Sequence, residues 1–153
     1  MTFKEFSEIS YSINTKVRAY LENKYGTDTW SMQGKCIEAT DILVAEYNKH
    51  PGIKAKAKRV WVLYEKFESC SNYCYEEHWL CELLLSSKTK VFVDVTMDQF
   101  QWAFSRELPK IYVNSKLPNF YLTRKPGKTI FDRCGWTDWY NYGQYENDFD
   151  YYE

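Results

Sequence analysis

The chain has 153 residues, a formal net charge of −1, two histidines and five cysteines. This length suits one domain with a real core, the balanced charge supplies no drive toward nucleic acid, and no apolar run approaches the roughly 20 residues of a membrane span. Irregularly spaced cysteines in odd number fit reduced thiols, and the charged start Met1-Thr2-Phe3-Lys4-Glu5 is unlike a signal peptide, so a cytoplasmic protein is expected.

In chain order, Thr2 with Glu5 predicts a capping box, and Phe3, Phe6, Ile9, Ile13, Val17, Tyr20 and Leu21 recur at helical spacing until Gly26. Residues 27–33 read as a loop. From Cys36, the apolar positions Ile37, Ala39, Ile42, Leu43, Ala45 and Tyr47 predict a mostly buried helix that ends before Pro51-Gly52. Residues 58–67, 78–85 and 91–96 read as strands of an antiparallel sheet, the last two joined by the polar turn Ser86-Ser87-Lys88-Thr89. Residues 97–108 suggest a short helix, and 111–123 a strand or two broken by Pro118. Lys54, Lys56 and Lys58 share a face if extended, which is either a solvated strand face or a dock for an acidic partner. We therefore expect one domain over 1–135. Residues 136–153 form an acidic, aromatic-rich tail without Lys or Arg, expected to pack on the domain.

Three residues carry candidate chemistry. Cys36 opens a predicted helix, His78 opens a predicted strand in His78-Trp79-Leu80-Cys81-Glu82-Leu83, and Asp94 closes one in Val91-Phe92-Val93-Asp94-Val95-Thr96. A catalytic thiol needs an imidazole and gains from a helix N-terminus, which together favour thiolate and supply N–H donors for an oxyanion. Asp94 in so apolar a strand would be costly without a partner, and an imidazolium is an economical one. Thr96 and Gln99 either steady this carboxylate or line a cleft, and Trp30, Gln33, Trp79 and Gln99 are the candidate substrate contacts. Cys81, within an apolar strand, reads as core, and Cys36 taken alone would read the same way. His78 and Asp94 share a sheet face only if paired residue numbers in the hairpin sum to an even value. Leu85 opposite Thr89 satisfies this, and Leu85 opposite Lys90 does not. A rival set, Cys70, Cys74 and His78, recurs every fourth residue and would bind zinc on a helix, but its segment has loop composition. The triad reading calls for no metal and no cofactor.

The segments Gly34-Lys35-Cys36-Ile37-Glu38-Ala39, Gly52-Ile53-Lys54-Ala55, His78 through Leu83 with Glu82, and Asp94-Val95-Thr96 resemble the transglutaminase-like superfamily of papain-related folds, over less than half of the chain. Where that family has an aromatic two residues after its histidine, this chain has Leu80 with Trp79 beside it. The resemblance implies an α+β fold, with a nucleophile helix packed on an antiparallel sheet, and a Cys36-His78-Asp94 triad. The expected activity is cysteine-dependent acyl transfer on a protein or peptide substrate, with water or an amine as acceptor. No membrane partner is expected, and nucleic acid is disfavoured. The alternative is a non-catalytic effector, of viral type given the excess of lysine over arginine and the frequent Tyr and Asn, that sequesters a host protein.

Overall fold

Thr2 and Glu5 start the first helix as their spacing predicts. In the computed structural model, which describes residues 1–65 and 75–126, α1 runs Phe3–Tyr25. The Thr2 hydroxyl accepts the Glu5 N–H at 3.1 Å, and the Glu5 carboxylate accepts the Thr2 N–H at 2.6 Å. These bonds satisfy donors that no helical carbonyl can reach. Gly26, at φ +118°, ends the helix in a conformation that disfavours a side chain. Phe6, Ile13, Val17 and Leu21 form the buried stripe as expected, but Phe3 and Tyr20 are 85% and 45% exposed. The remainder of the stripe is polar: Ser10, Asn14 and Arg18 are buried among those residues.

A 3₁₀-helix at Thr29–Met32 stands where a loop is predicted, because Met32 is drawn fully into the core. Next come α2 (Cys36–Tyr47) and the strands β1 (Ile53–Leu63), β2 (Tyr75–Leu85), β3 (Lys90–Asp94), β4 (Tyr112–Asn114) and β5 (Tyr121–Leu122). The helix predicted after Asp94 is a 3₁₀-helix, Met97–Ala103. The fold is mixed α+β, with one five-stranded sheet in the order β4-β3-β2-β1-β5 and antiparallel pairing of β1 with β5, β2 with β3 and β3 with β4.

The described residues fall into two compact units. One comprises residues 1–58 and 79–117. In its core, Phe6, Ile13, Val17 and Leu21 of α1 and Ala39, Leu43 and Tyr47 of α2 pack with Cys81, Leu83, Val91 and Val93 of the sheet and with Val95. Burying each large apolar side chain here is worth about 1.5–3 kcal/mol. Strand alternation then turns Leu80, Glu82, Phe92 and Asp94 to the opposite face. There the predicted basic run finds its partner: Lys56 and Lys58 lie 3.1 and 3.8 Å from the buried Glu82 carboxylate, and Lys90 lies at 4.0 Å. With Glu82 opposite, a lysine-lined strand starts at Ile53, earlier than its composition suggests.

The second unit is described for residues 59–65, 75–78 and 118–126. Val60, Trp61, Val62 and Leu63 are buried along β1, whose Leu63 N–H donates to the Phe120 carbonyl at 2.8 Å. The Tyr64 hydroxyl donates to Glu76 at 2.8 Å. Burial, and then the Glu76 charge, push the acidity of that phenol far down. The acidic aromatic tail and the cysteines Cys70 and Cys74 lie outside the described residues.

Candidate functional site

Cys36 is the first residue of α2 and is 8% exposed, one turn ahead of Ala39 on the helix's buried stripe. Gly34 precedes it at φ +74°, and a Cβ there would meet nothing within 4 Å. Its role is therefore conformational: the turn into α2 needs left-handed backbone, which glycine enters without steric cost. The N-cap residue Lys35 makes no side-chain capping bond to this end of α2, and Glu38 sets a carboxylate in its first turn, against the positive end of the helix dipole. The same turn is anchored laterally. Glu38 accepts from Lys24 at 3.0 Å and from the hydroxyls of Tyr20, at 3.1 Å, and Tyr25. The Tyr25 bond, and after it the Lys24 bond, hold the Glu38 carboxyl below its usual range. Lys35 stacks its ammonium 4.2 Å from the centre of the Tyr25 ring.

Asp94, 1% exposed, closes β3 opposite Tyr112 of β4. Its Oδ1 accepts the Thr96 N–H at 2.9 Å and has the Thr96 hydroxyl at 3.4 Å. The Gln99 amide in turn donates to the Thr96 carbonyl at 3.0 Å and to its hydroxyl oxygen at 3.1 Å. Gln99 and Thr96 thus form a short relay that steadies the carboxylate, and Gln99 is only 6% exposed. Arg18 locks the turn from behind. Its two terminal nitrogens each meet an Asp98 oxygen at 2.7 Å, and one also donates to the Val95 carbonyl at 2.9 Å. Burial opposes the Arg18 charge, yet Asp98 and then Glu22 outweigh it and raise its pKa.

His78 is fully buried within β2, three residues past the strand's start, rather than at a partly open strand end. The ring of Tyr121 packs against it edge-on, with centroids 5.4 Å apart. Trp79, on the alternate face, shares a hollow of about 150 Å³ with Ile37, Thr40, Asp41 and Ala57, so one predicted substrate contact sits beside the residue that follows Cys36. Ile37 is 57% exposed there, not buried as its helical spacing predicts. Trp30 is 68% exposed in the first 3₁₀-helix, and Gln33, at that helix's end, is also exposed. Cys81 is sealed in the core, where burial and the adjacent Glu82 push its thiol up to about 12. No cluster of three or more His, Cys, Asp or Glu side chains suited to a metal ion occurs among the described residues.

Sequence reasoning picked out Asp94, Thr96 and Gln99, which the fold brings together, but missed the Arg18-Asp98 clamp and the Glu38 anchor. The sequence signal for the clamp was a basic residue, Arg18, adjoining Val17 and in step with the polar Ser10 and Asn14 of the same helix face. No family model matches the chain, and no curated protein and no solved structure matches it significantly.

Proposed function

We propose that the chain is a cysteine-dependent acyl-transfer enzyme of transglutaminase-like type, with Cys36 as nucleophile, His78 as base and Asp94 as its orienter. The observation that carries this reading is the hairpin register. Cys81 pairs with Val93, Glu82 with Phe92, Leu83 with Val91 and Leu84 with Lys90, so paired numbers sum to 174, the parity that a His78-Asp94 partnership requires. The buried, doubly hydrogen-bonded Asp94 suits an anion kept to orient an imidazole, and the first turn of α2 offers donors to an oxyanion.

In the proposed reaction, the Cys36 sulfur bonds to an amide carbon while its proton passes to His78, and the departing amine takes that proton as the C–N bond breaks. Water or a second amine then resolves the thioester. The test combines alkylation with turnover. Iodoacetamide should modify Cys36 at least about tenfold faster than Cys81, whose raised pKa leaves almost no thiolate, and His78→Ala should slow Cys36 selectively. A blocked glutamine peptide with hydroxylamine as acceptor should yield hydroxamate, and Cys36→Ala should abolish it. If Cys36 reacts no faster than Cys81, is indifferent to His78→Ala and supports no turnover, it is a structural thiol and the non-catalytic effector reading replaces this one.

A further inference from the structure

A cleft of about 770 Å³ opens between the N-terminal half of α1, the β2–β3 hairpin and β4. Phe3, Phe6, Tyr11, Leu85, Val91 and Val113 supply its apolar walls. Phe3 and Tyr11 stand 85% and 74% exposed at its sides, unusual for rings that could be buried. Although 27% of the whole chain is charged, no Asp, Glu, Lys or Arg lines the cleft. Its polar lining includes two side chains that are almost wholly buried, Ser10 at 4% and Asn14 at 1% exposure. Those two are held in place by Tyr47, whose hydroxyl lies 2.7 Å from Asn14 Oδ1 and 3.0 Å from Ser10 Oγ, while Asn14 donates to Ser10 at 3.0 Å. An amide nitrogen has two hydrogens, and this contact uses one.

Volume, apolar walls and a few fixed polar groups are the attributes of a small-molecule site. The absence of charged side chains selects among ligands, since an ion entering this cleft would lose hydration with no side-chain counter-ion to replace it. We propose that the cleft binds an uncharged, mainly apolar small molecule carrying one hydroxyl, carbonyl or amide group that hydrogen-bonds at Ser10 and Asn14. This site is independent of Cys36 and its chemistry.

Three probes of one chain length test the idea: 1-decanol, decanoate and decylammonium, each competing with the neutral fluorophore N-phenyl-1-naphthylamine on the full chain. Decanol should displace the fluorophore at least about tenfold more effectively than either ion. Ser7→Trp, at an exposed lining position, should block decanol without shifting Tm, and Thr89→Lys, also exposed and lining, should raise decanoate affinity about tenfold by supplying a side-chain cation. The proposal is overturned if the fluorophore does not bind, if the three probes compete equally, as at any greasy surface, or if Ser7→Trp leaves decanol binding intact.

Discussion

Arg18 and Asp98 show how much can rest on one pair of side chains. Both are almost fully buried, and the bidentate bond joins α1 to the turn that holds Asp94. Asp98→Ala should therefore cost about 3 kcal/mol in chemical denaturation, because it leaves a buried guanidinium with Glu22 as its remaining carboxylate partner, whereas replacing both Arg18 and Asp98 with apolar residues should cost less. A double-mutant cycle checks this directly. The clamp was illegible in sequence for a physical reason: its partners lie 80 positions apart, and nothing local to either reports the other. The Asp94-Thr96-Gln99 relay was legible because its members fall within six consecutive residues, where hydrogen-bonding side chains and turn backbone recur at short range.

Among the elements, the β2–β3 hairpin sets which residues face which way. Its turn closes with the Leu85 N–H donating to the Thr89 carbonyl at 2.9 Å and the Lys88 N–H donating to the Leu85 carbonyl at 2.9 Å. Lys88 occupies φ +72°, where a side chain costs roughly 1 kcal/mol. Lys88→Gly should relieve that strain and raise Tm while leaving the register unchanged, which backbone chemical shifts would confirm. A fall in Tm would mean that the Lys88 side chain contributes more than its conformation costs. Two registers were open from the sequence, because Ser86-Ser87-Lys88-Thr89 suits more than one turn. Packing of Cys81, Leu83, Val91 and Val93 against the helices chooses between them, since a one-residue slip of either strand would turn its set away from the core.

At the scale of the whole molecule, buried acidic protons predict the response to pH. Cys81 and Tyr47 are each pushed up to about 12 by burial, with Glu82 adding to Cys81. The folded protein therefore holds these protons where the unfolded chain releases them. Their stabilisation is complete below the ordinary thiol and phenol range and is lost as pH rises through that range toward about 12. Stability measured by urea denaturation should fall with pH above about 9, and Cys81→Ala, though less stable at neutral pH, should flatten that slope. An unchanged slope would show that the thiol does not dominate it. At acid pH the sign reverses: the lowered pKa values of Glu5, Glu38 and Glu46 contribute stability that is lost as pH falls through the carboxylate range, weakly because these groups are exposed.

Local chemistry alone determined both helices, the capping box, the stop at Gly26, the turn at 86–89 and the break near Pro118, because each depends on neighbours a few residues apart. It also singled out Asp94, as an acid in an apolar strand has few inexpensive fates. Tertiary structure decided what those elements bury. It exposed Phe3, Tyr20 and Ile37, enclosed His78, drew Met32 into the core and set Ser10, Asn14 and Arg18 in the face of α1 that periodicity reserves for apolar residues. Helical spacing records which residues share a face, but only the packed partner determines whether that face needs a methyl group, a hydrogen bond or a charge.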